Sequence, residues 1–261
     1  MTTGASRAAG RILIGTAGWS IPRASAHRFA ASGTHLQRYS STLRCVEINS
    51  CFYRSHARAT YARWAAEARA AFQFAVKLPR TITHDRELRR ARVPLERFLE
   101  ETGGLGEKRG PILVQLPPAL AFDARVAGRF FDCFRERYEG LVVCEPRHPT
   151  WFASAAQRLL DNHHVARVAA DPARGPGDGT PGGWRGISYF RLHGSPRTYW
   201  SRYDTAFIER LARELLATSA SGDVWCVFDN TAAGAAIDNA LELQTVLASD
   251  PSASKAQAAS A

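Results

Sequence analysis

The chain has 261 residues, of which 45% are apolar and 22% charged, and its formal net charge is +10. This composition is that of a globular protein. No apolar run approaches the ~18 residues of a membrane span, and the N-terminus lacks the apolar core of a signal peptide. We therefore expect a cytoplasmic protein with no membrane partner.

The cysteines are five in number and contain no CxxC pair, so they predict neither a disulfide framework nor a zinc knuckle. The net charge favours anionic partners such as nucleic acid, phosphates or acidic metabolites. Only Lys77, Lys108 and Lys255 are lysines, so 31 of the 34 cations are arginines. Compositional bias therefore explains the basic character as well as function does.

Eight short apolar runs recur along the chain, and most of them stop at a polar residue. They are Ile12–Gly15, Cys45–Ile48, Phe72–Val76, Ile112–Val114, Leu141–Cys144, Val165–Ala169, Ile187–Phe190 and Val224–Phe228. Eight apolar strands separated by crossovers predict a single (β/α)8 barrel of the TIM type. We place this domain at about residues 11–248, between tails at 1–10 and 249–261 that we expect to be disordered.

Helical patterns lie between most of the runs. We expect helices at 57–70, 123–138, 150–162, 204–218 and 231–247, the last with Asn230 or Thr231 as its N-cap. One connection differs, because Asp171–Gly186 contains three prolines and six glycines. This composition predicts an irregular loop without a regular helix between the sixth and seventh strands.

Polar side chains at the ends of these runs are the candidates for chemistry, since the strand C-termini of such a barrel converge on one mouth. Glu47 and Glu145 suit a general base, a metal ligand or a hydroxyl acceptor. The alternative is a buried ion pair with Arg147 or Arg191. A divalent metal held by Glu47, Glu145, Asp171 and His193 is the less favoured hypothesis, because no HExxH motif accompanies them.

Lys77 is informative because this chain uses arginine almost everywhere else. A lysine is a compact point charge whose pKa can fall on burial, which suits a phosphate clamp or, less favoured, an amine nucleophile. His193 closes a strand beside Arg191 and suits proton transfer. Neither a GxSxG turn nor a dinucleotide-binding fingerprint is present, so we expect no nucleophilic serine and no NAD.

Seven segments, in order, resemble the YecE-like family, which is also called domain of unknown function 72. They are GTAGWS (15–20), VEINSCFYR (46–54), FAVKLPRTITH (74–84), PILVQLPP (111–118), EPRHPTWF (145–152), YFRLHGS (189–195) and VFDNTAAGAAIDNA (227–240). The resemblance covers residues 12–247 and implies a TIM-type barrel, but it implies no established reaction. It departs from the family at Ile21–Ala24, where an aromatic segment is usual, and at Asp229, where an asparagine is usual.

Matching segments carry a set of mouth residues to this chain by resemblance. Together with the reasoning above, they give Glu47, Lys77, Glu145 and His193 as catalytic candidates. The substrate-binding candidates are Thr16, Trp19, Asn49, Tyr53, His84, Gln115, Arg147, Arg191 and Asn230. Aromatic residues near the predicted mouth suit stacking on bases or sugars, with packing as the alternative for Phe52 and Trp151. They are Trp19, Phe52, Tyr53, Trp151, Tyr199 and Tyr203.

Three functions remain open. The first is an enzyme, a hydrolase, lyase or isomerase, acting on a phosphorylated or otherwise anionic small molecule in a net basic pocket formed by Lys77, Arg147 and Arg191. The second is a nucleic-acid-binding or phosphodiester-processing barrel, by analogy of fold alone. The third is a non-catalytic ligand binder, which is weakest because clusters of ionisable groups in a barrel mouth usually perform chemistry.

Overall fold

The computed structural model describes residues 9–175 and 177–250, and these form a (β/α)8 barrel. The strands are β1 (Ile12–Ala17), β2 (Cys45–Ile48), β3 (Gln73–Lys77), β4 (Arg109–Gln115), β5 (Val142–Glu145), β6 (Val165–Arg167), β7 (Ala169–Asp171), β8 (Gly182–Gly183), β9 (Ser188–Leu192) and β10 (Val224–Phe228). The α-helices are α1 (His35–Ser40), α2 (Ser50–Tyr53), α3 (Arg58–Glu67), α4 (Arg80–Thr83), α5 (Arg92–Thr102), α6 (Ala124–Arg135), α7 (Ser154–Asn162), α8 (Thr205–Ser219) and α9 (Ala235–Ser249). Short 3-10 helices cover Arg23–Arg28, Gly103–Lys108 and Pro149–Phe152.

The strand order in the sheet is β7-β9-β10-β1-β2-β3-β4-β5-β6-β8, and the wall strands are parallel. The sixth apolar run supplies both β6, which pairs with β5, and β7, which pairs with β9. Its two halves, separated at Val168, therefore close the barrel. The predicted eight-stranded barrel is confirmed, with its sixth strand divided in two and β8 added outside the wall.

Side chains alternate between the two faces of the wall, as the pleat of a strand requires. The interior holds one apolar cluster that includes Leu13, Cys45, Ala75, Val143 and Trp225. Neighbouring residues of the same strands, such as Ile14 and Val46, pack outwards against the helices in a second, larger cluster. Both faces are apolar because a parallel sheet is covered on both sides.

Residues 172–186 contain no regular helix in the part that the structure describes, which confirms the predicted irregular connection. Strand β8 lies in this loop and pairs antiparallel with β6. The predicted N-cap of the last helix is wrong, because α9 begins at Ala235 and Gly234 is its N-cap residue with φ +80°. Asn230 instead accepts the N–H of Ala236 through its backbone carbonyl.

The sequence patterns also left α5 unpredicted. Most of the two expected disordered tails, 1–8 and 251–261, lies outside the described residues. In the described part, Gly10 donates its N–H to the carbonyl of Ser219, and Ser249 still belongs to α9. No helix in this part of the chain is both long and apolar enough to cross a membrane.

Candidate functional site

Polar side chains replace the apolar ones at the C-terminal end of the barrel interior. Residues i and i+2 of a strand share a face, so the strand ends continue the register of the inner apolar cluster. This register brings the following residues toward one mouth: Glu47, Lys77, Gln115, Glu145, Arg191, His193 and Asp229. These residues lie on or just after β2, β3, β4, β5, β9 and β10. These strands are parallel, so their C-terminal ends meet at one end of the barrel.

Arg191 lies at the centre of this group and is fully buried. Its Nη2 is 2.6 Å from Oε1 of Glu47, and its Nε is 3.0 Å from Oε2 of the same carboxylate. Nη1 donates to Oε2 of Glu145 at 2.6 Å, and Nη2 also donates to Oδ2 of Asp229 at 3.0 Å. Tyr189 completes the shell of Glu47 by donating its hydroxyl to Oε2 at 2.8 Å.

Glu145 is equally enclosed, with no exposed surface. Besides the contact with Arg191, its Oε1 forms an ion pair with Nη2 of Arg147 at 2.6 Å and accepts a hydrogen bond from Nε2 of Gln115 at 3.3 Å. Burial alone raises the pKa of Glu145, but Arg191 and Arg147, helped by His193, outweigh it and hold that pKa well below its usual range. Glu145 is therefore a carboxylate at neutral pH.

His193 bridges two of the carboxylates. Its Nδ1 lies 3.0 Å from Oδ2 of Asp229, and its Nε2 lies 3.1 Å from Oε1 of Glu145. Nη2 of Arg147 is 3.2 Å from the same Nε2. Because an ionised carboxylate only accepts hydrogen bonds, each ring nitrogen of His193 faces an acceptor.

Lys77 lies beside this network but is not part of it. Its ammonium nitrogen is 4.1 Å from the centre of the Phe52 ring, and no hydrogen bond or ion pair joins it to any other described residue. Burial, followed by the charge of Arg191, lowers the pKa of Lys77 to about 8, although Glu47, Glu145 and Asp229 act in the opposite direction.

An aromatic group lines the mouth next to Lys77. The ring of Phe52 contacts the ring of Tyr53 at 4.9 Å and that of His84 at 5.0 Å, both edge to face. His84 is half-buried, and its Nδ1 lies 2.9 Å from the hydroxyl of Thr83. Burial, then the nearby charge of Lys77, lowers the pKa of His84. Its imidazole is therefore neutral at physiological pH.

Two predicted binding residues, Thr16 and Asn230, have the opposite register and do not face the mouth. The hydroxyl of Thr16 bonds to the carbonyl of Gly18 at 2.6 Å and lies 2.9 Å from the hydroxyl of Tyr39, in the outer layer. Asn230 donates its amide to the carbonyl of Ser201 and to Oδ1 of Asn239 on α9. Both side chains hydrogen-bond to neighbouring segments, so the structure does not bring them together with the other predicted site residues.

Trp19 and Asn49 have different surroundings. Trp19 packs against the outer apolar cluster, and the centre of its ring lies 5.1 Å from that of Trp64 on α3. Asn49 follows β2, and its Oδ1 is buried without a hydrogen-bond partner among the described residues. Nε of Arg147 is likewise buried and unpaired within the described part of the chain. Arg147 also contacts the network, so its unpaired Nε is an open donor there.

The structure also corrects the expectation of a net basic pocket. Asp229 adds a third carboxylate to Glu47 and Glu145, and these balance Arg147, Arg191 and Lys77. Asp229 and Tyr189 were absent from the predicted site. Asp229 stood at the end of the last apolar run and could have been chosen on that ground, whereas Tyr189 lies inside a run and gave no signal.

A metal site does not form in the described residues from histidine, cysteine and carboxylate groups. The physical reason is the guanidinium of Arg191, which fills the space between the carboxylates of Glu47, Glu145 and Asp229. Asp171, the fourth residue of the hypothetical metal set, accepts the hydroxyl hydrogen of Tyr203 at 2.7 Å instead.

Solved structures with similar folds come from two bacteria. A DUF72 family protein from Enterococcus faecalis V583 superposes with a TM-score of 0.77 at 21% identity, over 92% of this chain and 96% of that one. A DUF72 family protein from Thermotoga maritima MSB8 gives a TM-score of 0.75 at 22% identity, over 91% of this chain and 99% of that one. At these identities the likeness establishes the fold.

The sequence is also similar to curated relatives. It is 29% identical over 167 residues to the UPF0759 protein YecE of Escherichia coli K12, which is 61% of this chain and 59% of that protein. The matched region thus spans about three fifths of the relative's length. The model of the family described as "Protein of unknown function DUF72" matches residues 13–260. With a matching family model over nearly its whole length, this chain belongs to the DUF72 family.

Proposed function

We propose that the protein is an enzyme that binds a small anionic substrate, with phosphate esters as the first candidates, at the C-terminal mouth of its barrel. One observation carries this proposal. The ammonium group of Lys77 has no polar partner among the described residues, whereas the other charged side chains of the cluster are paired. A largely buried, unpaired cation is costly, and an anionic ligand offsets that cost.

The catalytic candidates then divide into two groups. Lys77 contacts the anion, and His84, whose neutral imidazole has a free Nε2 among the described residues, exchanges protons with the substrate. Glu47 and Glu145 have no exposed surface, so we assign them to holding Arg191 in position. His193, almost fully buried between two carboxylates, is a positioning residue as well.

A proton-transfer reaction on an anion suits this assignment, as in many hydrolases, lyases and isomerases. The unpaired Nε of Arg147 offers a second donor to the same ligand, provided that small side-chain movements expose it. The positive charges of Lys77 and Arg147 attract a bound anion most strongly where water is excluded, because the local dielectric constant is low there.

Thermal-shift measurements on the whole chain test the proposal, with inorganic phosphate, ribose 5-phosphate, nucleotides and short duplex DNA as ligands. A bound anion at a hundredfold excess over its Kd should stabilise the fold by about 2.7 kcal/mol. The shift should disappear in Lys77→Met and persist in Arg63→Met, which removes one positive charge from an exposed position on α3. No shift with any anion, or equal shifts in the two variants, would refute the proposal.

Nucleic-acid binding is the second candidate, and the net charge of +10 favours it. Because the mouth cluster is balanced, the net charge of +10 resides elsewhere in the chain. Binding there should weaken steeply between about 50 and 200 mM salt through counterion release. Fluorescence anisotropy of labelled DNA over that range measures this directly, and a Lys77→Met variant should bind DNA unchanged.

A further inference from the structure

Strongly exposed aromatic side chains concentrate at one end of the barrel. Among the described residues, the large apolar side chains with high exposure are Tyr53, Val93, Tyr199 and Trp200. Tyr53 ends the short helix after β2, and Tyr199 and Trp200 lie in the segment after β9. Both strands are parallel members of the wall, so both segments leave it at the same C-terminal end. Three of these four side chains therefore surround the mouth.

Tyr199 is held directly over the charged cluster. Its ring meets that of His193 edge to face with centres 5.6 Å apart, yet 42% of the residue is exposed. Its backbone N–H donates to the carbonyl of His193, and its own carbonyl accepts the N–H of Ala232. Gly194, with φ +91°, turns the chain at the start of this segment, and a Cβ there would lie 2.8 Å from the carbonyl oxygen of Ser201.

The backbone of Tyr199 is strained, with φ +70° in a region that non-glycine residues seldom adopt. Such strain persists only where the surroundings impose it, and it is frequent at ligand sites. The neighbouring Trp200 is less available to a ligand, because the guanidinium of Arg197 covers its ring at 4.3 Å. Tyr199 is thus the exposed ring in best contact with the cluster.

The strand that carries Lys77 and the strand that leads to Tyr199 lie on opposite sides of the barrel. Strand β3, which ends at Lys77, and strand β9, which leads to Tyr199, are four wall positions apart in both directions around the barrel. A ligand that contacts both needs an anionic group at one end and a flat, apolar ring at the other. Neither inorganic phosphate nor a simple acid has the second feature.

We infer that the substrate at the proposed site is a nucleotide-like molecule, in which a phosphate that meets Lys77 is joined to a planar heteroaromatic ring that packs on Tyr199. The inference rests on the proposed function, which supplies the anion site. It adds a requirement for the ring, because aromatic side chains stack on nucleobases through faces that both partners possess.

Isothermal titration calorimetry of the whole chain with adenosine 5′-monophosphate, ribose 5-phosphate and inorganic phosphate tests this inference. Stacking on one aromatic side chain should make the nucleotide bind about 5- to 150-fold more tightly than ribose 5-phosphate. Tyr199→Asn should remove most of that advantage and leave the affinity for phosphate unchanged, since asparagine tolerates the left-handed backbone. Tyr199→Phe retains the ring and should keep the advantage.

The outcomes separate the two proposals. If none of the three ligands binds, both the anion site and the nucleotide are refuted. If phosphate and ribose 5-phosphate bind in a Lys77-dependent manner but the nucleotide binds no better, the anion site stands and the ring requirement fails. Equal weakening of phosphate and nucleotide binding by Tyr199→Asn, or binding of single-stranded DNA without binding of the mononucleotide, would also overturn the inference.

Discussion

Arg191 forms a bidentate salt bridge with Glu47, in which Nη2 is 2.6 Å from Oε1 and Nε is 3.0 Å from Oε2. Neither side chain has any exposed surface. Two charges in a dry interior are stable only when each is paired and hydrogen-bonded. The pair spans the barrel interior from β2 to β9. It therefore fixes the position of the strand ends from which the mouth is built.

Glu47→Gln should lower the free energy of unfolding by about 3–5 kcal/mol, because it leaves the guanidinium of Arg191 short of compensating charge in the interior. Urea unfolding followed by circular dichroism measures this. Arg92→Gln is the matched control, since its pair with Glu96 is 3.1 Å long but exposed, and its loss should cost less than about 1 kcal/mol. Similar costs for the two variants would contradict the stabilising role of the buried pair.

Tyr189→Phe should cost about 1.5–3 kcal/mol, because the hydroxyl donates to a charged acceptor on Glu47. The ring remains stacked on Trp225, with centres 6.0 Å apart, so packing changes little. In a Glu47→Gln background the same substitution should cost clearly less, since the acceptor has lost its charge. A double-mutant cycle gives the coupling energy, and a value of zero would contradict this account.

Asp229→Asn should change the pH dependence of the free energy of unfolding. Burial alone raises the pKa of Asp229, but Arg191 and His193 outweigh it and lower that pKa below its usual value. The folded protein therefore binds this proton less tightly than the unfolded chain. The carboxylate stabilises the fold above the unfolded pKa of about 3.9, and this contribution is lost as the pH falls through the lower folded value.

Urea unfolding of the wild type and of Asp229→Asn should thus differ most above about pH 5 and converge as the pH falls below about 4. Glu145 has a lowered pKa in both proteins and remains as a common source of acid sensitivity. A stability difference that stays constant over this range would mean that the charge of Asp229 is not the cause.

The barrel was predictable because each wall strand overlaps a short apolar run and most of these runs stop at a polar residue. The direction in which each strand-end side chain points could not be predicted. Both faces of the wall are apolar, so the sequence shows no alternation of apolar and polar residues that would separate inward from outward positions. The register in the structure sends Glu47 inwards to Arg191 and Thr16 outwards to Tyr39, although both lie near the end of an apolar run. Counting in steps of two from a residue known to face inwards would separate them.

The ion pairs that Arg191 forms with the carboxylates could not be predicted from the sequence, for another reason. Glu47, Glu145 and Asp229 come from three strands that are far apart in the chain, and nothing local indicates that one guanidinium binds all three. The hypothesis of a barrel-end ion pair named the correct kind of contact for Arg191. It could not show that Lys77 stays outside this network, because that depends on side-chain geometry across the mouth.

Lys77→Met should stabilise the protein at pH 7, by about 1–3 kcal/mol. Burial and Arg191 lower the pKa of Lys77 to about 8, so the folded state disfavours the charged amine relative to the unfolded chain, where the pKa is near 10.4. The destabilisation by the charged amine has its full size below about pH 8. It decreases as the pH rises from about 8 to about 10, because the folded protein releases the proton over this range. The advantage of the variant should shrink over the same range.

Lys108→Met is the control. Burial lowers the pKa of Lys108 as well, but its ammonium makes two hydrogen bonds that Lys77 lacks, so we expect the effect of the substitution to have the opposite sign. The ammonium of Lys108 donates to the carbonyls of Ala65 and Ala68 at 2.7 and 2.6 Å, where it caps the C-terminus of α3, so its loss should destabilise the fold by about 1–3 kcal/mol.

The chain has three lysines, which makes the pKa of each accessible to NMR of ¹³Cε-labelled lysine. A resonance with a midpoint near pH 8 should vanish in Lys77→Met and persist in Lys108→Met. Titration of Lys77 near pH 10.4, or destabilisation by Lys77→Met at pH 7, would show that the amine carries no cost and would remove the main physical reason for placing an anion there.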